Sequence, residues 1–177
     1  MKKVTFFLFV ASFAYALSVE TLIQYYKEKN YYDVCQGGLK LFKKIQKDEN
    51  LLSMYAFSCL YVDKIDRLYL PSMVLGKTAE SRHNRAYFSL IIAQKNILVS
   101  ALVDGEDYEG LNVPNTDYIL SRVFNLYFQK KYKKVDNRYI MQDDRGKYTL
   151  YTKKGKRNTW VIIEEERNGK KYIHKYR

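Results

Sequence analysis

CQGGLKLFKKIQKDENLLSMYAFSC, residues 35–59, holds both cysteines of a 177-residue chain, and its reading decides how the first half folds. On its N-terminal side Val34, Cys35, Leu39, Phe42 and Ile45 recur at three- and four-residue steps, the spacing of one buried helical face. Lys47-Asp48-Glu49-Asn50 interrupts that pattern and offers Asp48 as the cap of a following helix. Leu51, Leu52, Tyr55, Ala56, Cys59, Leu60 and Val62 then form its apolar face. In an antiparallel hairpin turning near Lys47, each cysteine lies twelve residues from the turn, about 18 Å along the axis at 1.5 Å per residue. The two are level. A disulfide needs Cα atoms about 5.5 Å apart, closer than ordinary helix packing. Gly37 and Gly38 have no side chains to prevent that approach, at a helix-propensity cost of roughly 1 kcal/mol each. A disulfide between Cys35 and Cys59 is the expectation, and two buried thiols the alternative. The only histidines, His83 and His174, lack ligand spacing to a cysteine or to each other, so no metal site is expected. The cysteine spacing is also unlike that of a CxxC redox pair.

Structural disulfides are concentrated in oxidising compartments, and the N-terminus addresses that condition. Lys2 and Lys3 precede the apolar run VTFFLFVASFAYA, and Ala14 and Ala16 are small residues at the cleavage-determining positions. That layout is a secretory signal peptide over 1–16, cleaved after Ala16, with a periplasmic destination. The run is short for a membrane span, and no later stretch reaches spanning length without charges.

Helical periodicity continues to about residue 134, and the expected helical domain is 17–134. Ser18 is placed to cap a first helix carrying Leu22, Ile23 and Tyr26, and Tyr31 to about Gln46 reads as a second. RLYLPSMVLG is a short helix stressed by Pro71 and stopped by Gly76. Thr78 or Ser81 opens the longest helix, Gly105 lies past its end, and Asn115 or Thr116 caps a last one running through the lysine cluster. After Val135 the period changes from 3.6 to 2. RYIMQ, KYTLYT, TWVIIEEE and KYIHKY read as four antiparallel strands over 135–177, with Asn168-Gly169 as a two-residue hairpin turn. Ile140, Leu150, Trp160, Ile162 and Ile173 are expected to pack on the helical part or on a partner. The fold class is α+β: mainly α-helical hairpins followed by a small antiparallel β-meander.

The stretch NYYDVCQGGLKLF, continued by YAFSCLYVDKID, resembles one and a half tetratricopeptide or Sel1-like repeats over about Ser18 to Leu75. That resemblance implies a helical solenoid whose groove binds protein segments. In size, export and helix-hairpin character the chain also resembles small periplasmic disk and scaffold components of polar flagellar motors.

Chemistry is sparse. No phosphate loop, GxSxG, HExxH or calcium-loop pattern occurs. The adjacent Glu164, Glu165 and Glu166 alternate faces on a strand and cannot all converge. Neither an enzyme nor a cofactor is expected. Charge is informative instead. Residues 130–177 carry 16 Lys or Arg against 6 Asp or Glu, whereas 17–129 carry 13 of each. Lys147, Lys153, Lys154, Lys156, Arg157, Lys170 and Lys171 are interleaved there with Tyr151, Tyr172 and Tyr176, a candidate interaction surface. The expected function is a non-enzymatic scaffold whose partners are proteins of an envelope assembly. The alternative partner is an anionic polymer: peptidoglycan, lipid headgroups or incoming DNA. A solubilising role explains the same lysines, since edge strands favour them.

Overall fold

The computed structural model describes residues 17–177, so the expected leader and its cleavage site lie outside the described residues. Local capping starts the helices where the sequence places them. Ser18 Oγ accepts from the Thr21 amide at the head of α1 (Val19–Lys27), and Asn30 caps α2 (Tyr31–Lys40). Asp48 accepts from the Asn50 and Leu51 amides to open α4 (Glu49–Tyr61). The expected continuous helix from Tyr31 to Gln46 is broken at Leu41, which separates α2 from the single turn α3 (Phe42–Ile45). Two glycines in the last turns of α2 weaken its continuation.

Cys35 and Cys59 are disulfide-bonded, with Cα atoms 4.8 Å apart. The glycines divide their roles. A Cβ on Gly38 would stand 2.3 Å from the Tyr55 ring of α4, and one on Gly37 would stand 2.6 Å from Leu22 of α1. Gly38 therefore serves the cysteine-bearing hairpin, and Gly37 admits α1 to the other side of α2. Arg67, from a 3-10 turn (Ile65–Leu68), donates to the Cys35 carbonyl at 2.8 Å and to Gln36 Oε1 at 3.0 Å. Pro71 sits in the first turn of α5 (Tyr69–Val74), where no intrahelical donor is needed, so it does not stress the helix.

Glu49 holds the next corner. Its carboxylate accepts from the amides of Gly76, Lys77 and Thr78 ahead of α6 (Ala79–Val99). Those amides, Lys77 foremost, outweigh desolvation and lower the Glu49 pKa to about 2. Thr78 and Ser81 together form the capping box of α6, which runs on into a π-helical turn (Ser100–Asp104) and ends at Gly105 in the left-handed region. These 26 residues are long enough to cross a bilayer and contain an 18-residue window apolar enough to do so, with a mean hydropathy of 1.5. The sequence reading discounted the stretch for its charges. Here Phe88, Ile91 and Leu98 face the core, and Lys95 is buried in an ion pair with Asp66.

The last helix, α7 (Ile119–Phe128), is shorter than expected at both ends. Asn115 and Thr116 do not cap it: they lie in the preceding loop, where the Ser121 hydroxyl of the first helical turn donates to Asn115 Oδ1 and accepts from the Thr116 amide. At the other end Lys130 takes a left-handed φ of 56°, and the amides of Lys130 and Lys131 turn back to Tyr127 and Leu126. The helix therefore stops before the lysine cluster, and Lys133–Val135 become an extra strand, β1. The sheet has five strands, not four: β1, β2 (Arg138–Gln142), β3 (Lys147–Lys154), β4 (Thr159–Arg167) and β5 (Lys170–Tyr176), antiparallel and in sequence order. Asn168 and Gly169 both have positive φ, as their two-residue hairpin turn requires.

Strand register sorts the side chains into two faces, since directly paired residues share a face. Met141, Tyr148, Leu150, Val161, Ile163 and Tyr176 face inward and join Leu120, Val123 and Phe124 of α7 in one apolar core. Of the five side chains expected to pack on the helical part or on a partner, Leu150 packs on the helices. Ile140, Trp160, Ile162 and Ile173 have the opposite parity and lie on the outer face.

Replacing both cysteines by alanine should lower unfolding free energy by roughly 3 kcal/mol, read by urea denaturation against the oxidised protein. Glu49→Gln should destabilise at neutral pH. Its deficit should shrink as pH falls from 4.5 toward 2, because the lowered folded pKa confines the carboxylate's contribution to pH above its unfolded value.

Candidate protein-interaction surface

The outer sheet face is built in rows. Arg138, Tyr151, Ile162 and Lys175 are register partners across β2 to β5, and Lys153 pairs with Trp160 in the neighbouring row. Glu164 stands between Thr149 and Ile173 in the row on the other side. No helix of the described chain covers this face: Ile140 is 43% exposed and Ile173 60% exposed. Ile162 is only 3% exposed, enclosed by the large side chains around it. A groove of about 420 Å3 runs over Ile162 and Ile173, with Tyr151 and Trp160 as walls and Lys153, Lys154 and Lys175 on the rim.

Both aromatic walls are held in place. The Arg138 guanidinium lies over the Tyr151 ring at 4.1 Å, and that of Arg177 over Trp160 at 5.2 Å. The Tyr151 hydroxyl donates to Glu164 at 2.6 Å, and this bond, followed by burial, raises the phenol's pKa. Glu164 also meets Arg138 at 3.6 Å. Among the described residues the three rim lysines make no ion pair. The groove therefore has an apolar floor, oriented aromatic walls and uncompensated positive charge.

The residues singled out from sequence separate on this frame. Tyr151, Lys153 and Lys154 line the groove, and Lys156 and Arg157 lie in the β3–β4 turn beside it. Lys147 and Lys171 are on the outer face farther along the strands, and Lys170 follows the β4–β5 turn. Tyr172 and Tyr176 do not belong to this surface. Their parity turns them to the inner side, where Arg167 covers Tyr172 at 5.6 Å and Tyr176 is 3% exposed. Ile162 and Ile173, which the sequence grouped with Leu150, lie on the opposite face from it. The run Trp160-Val161-Ile162-Ile163 is apolar at both parities, so only the partners of β4 decide which half points inward.

A polar junction beneath the sheet sets that choice. Asp63 follows α4 at a left-handed φ of 57°, the position usually taken by glycine, with the amides of Asp63 and Lys64 turning back to Leu60 and Cys59. Its carboxylate accepts from the Tyr118 hydroxyl at 2.5 Å and the Tyr176 hydroxyl at 3.3 Å, and meets His174 Nδ1 at 2.9 Å. The other ring nitrogen of His174 faces Glu165 at 3.4 Å. Burial opposes charge on His174, but the two carboxylates prevail and raise its pKa. Burial, reinforced by Asp63, pushes both phenols well above their ordinary range, so they remain donors. A second tie runs from Lys95 of α6 to Asp66 at 2.5 Å and to the Arg177 carbonyl at 2.8 Å. With His174 and Tyr176 held inward, alternation along β5 turns Ile173 and Lys175 outward.

Both ring nitrogens of His174 are engaged, so the junction ties the end of α4 to β4 and β5. Among the described residues no three His, Cys, Asp or Glu side chains converge as metal ligands. No family model, characterised protein or solved structure matches this chain.

The raised His174 pKa gives the clamp a pH dependence. Its contribution is complete below the unfolded value of 6.5 and is lost as pH rises through the folded one. His174→Gln should therefore lower stability by on the order of 2 kcal/mol at pH 5.5 and by clearly less at pH 9, measured by urea titration at both.

Proposed function

We propose that this chain is an exported, non-catalytic docking protein of the bacterial envelope, whose outer sheet face receives an acidic protein segment anchored by an apolar side chain. One observation carries the reading: an uncovered sheet face with an apolar groove ringed by lysines that no carboxylate of the described chain neutralises. Export is supported by the leader-like first sixteen residues and by the buried disulfide. The antiparallel packing of α2 on α4 supports reading the first helices as divergent tetratricopeptide-like hairpins, which serve here as the support for the sheet. An envelope assembly, of the kind formed by flagellar disk and scaffold proteins, is the setting in which such a docking surface would work.

The specific geometry favours protein over polymer. One face of Tyr151 and one of Trp160 is already occupied by an arginine of the same chain, which leaves less ring surface for stacking bases or sugars. The apolar floor, by contrast, suits a buried leucine or phenylalanine with flanking acids.

Trp160 is the chain's only tryptophan, so its fluorescence reports directly on the groove. An acidic peptide with a central leucine or phenylalanine should shift that emission saturably. Lys153→Glu combined with Lys175→Glu should weaken binding by more than about tenfold. Tighter binding of heparin or DNA, falling steeply with salt, would select the polymer alternative. No response to any of these ligands would remove the docking surface altogether.

A further inference from the structure

The chain itself carries a segment of the chemistry that the groove accepts. From the last residue of the π-helical turn toward α7, the segment DGEDYEGLNV places Asp104, Glu106, Asp107 and Glu109 within ten residues that contain no lysine or arginine. Its apolar side chains are partly presented to solvent: Val103, just before the loop, is 39% exposed and Leu111 is 37% exposed. Among the described residues none of those four carboxylates makes an ion pair. Lys153, Lys154 and Lys175 around the groove are equally unpaired. One chain therefore displays both halves of a complementary contact.

Its own sheet keeps the two halves apart. The π-helical turn that launches the loop packs beneath β3 and β4, on the core side. The loop then lies beside Tyr127, Phe128, Lys130 and Tyr132, near the β1 edge, with no ion pair formed to Lys130. The groove opens on the other side of the sheet, over β3, β4 and β5. The complement must come from another molecule.

We infer that the occupant of the groove is the acidic loop of a second copy of this chain, giving head-to-tail self-association. The inference rests on the docking reading above and names its partner. Loop and groove are different surfaces, so the contact is heterologous: each copy that docks leaves one loop and one groove open. Growth continues to a ring or a filament instead of stopping at a dimer. The contact is small and charge-led, so its strength lies in the roughly micromolar to millimolar range and falls with salt.

Sedimentation of the oxidised protein tests this. In low salt the average mass should rise with concentration past the dimer and return to monomer in about 0.5 M salt. Glu106→Lys with Asp107→Lys, or Lys153→Glu with Lys175→Glu, should each weaken association by at least about tenfold. All four positions are solvent-exposed, so folding is preserved. Mixing the two charge-reversed proteins should restore growth as an alternating assembly, because the acidic loop of one meets the basic groove of the other and the two reversed surfaces are also complementary, and combining all four substitutions in one chain should restore growth as well. A wild-type chain that stays monomeric at ~1 mM, or association indifferent to both reversals, overturns the inference. If Trp160 still answers an acidic peptide in that case, the docking reading stands and only self-recognition fails. If it does not, both fall.

Discussion

The fold turns on a single carboxylate. Asp63 stands where α4 ends, one turn beyond the disulfide-bonded Cys59, and gathers a phenol from the head of α7 with a phenol and an imidazole from β5. Glycine would relieve the backbone at this left-handed position, but glycine could hold none of these partners. Aspartate tolerates the conformation better than most side chains and supplies the acceptor. With His174 removed, Asp63 and Glu165 would be left facing each other's charge across a largely buried gap, so the three groups act as a unit.

Apolar burial supplies most of the stabilisation, but it does not choose which face of the sheet is buried. β4 offers Val161 and Ile163 on one side and Trp160 and Ile162 on the other. The polar partners are less tolerant. Turning β5 over would bring Ile173 and Lys175 to Asp63 and leave buried acceptors without donors, at about 1–3 kcal/mol for each unmet group. By comparison the exposed Arg138–Glu164 pair, at 3.6 Å, is worth at most about 1 kcal/mol. The junction therefore fixes orientation, and the groove is a consequence of it: every side chain turned inward at the clamp sends its neighbour to the outer face.

Much of this was legible locally. Ser18, Asp48 and Thr78 cap helices because each side chain reaches an amide two or three residues on, a relation that a short stretch of sequence contains in full. Asn168-Gly169 announced its turn for the same reason, and the level placement of the cysteines needed only helical rise. What escaped was nonlocal. Lys133–Val135 reads as a helix tail by composition, and becomes a strand because Lys130 ends the helix and β2 stands ready to pair. Asp63 sat in the turn DKID with no local sign of its partners, which lie 55 and more residues away. His174 falls within the expected strand KYIHKY, yet its role needs α4 to be brought beneath the sheet.

Solvent access along β4 and β5 is the most direct measure of this arrangement. In hydroxyl-radical footprinting of the folded, oxidised protein, Ile173 and Trp160 should be modified readily, while Tyr176, Tyr148 and Met141 stay protected until unfolding. Protection of Ile173 and Trp160 with ready modification of Tyr176 and Met141 would mean that the sheet packs by its other face, and would contradict both the clamp and the groove.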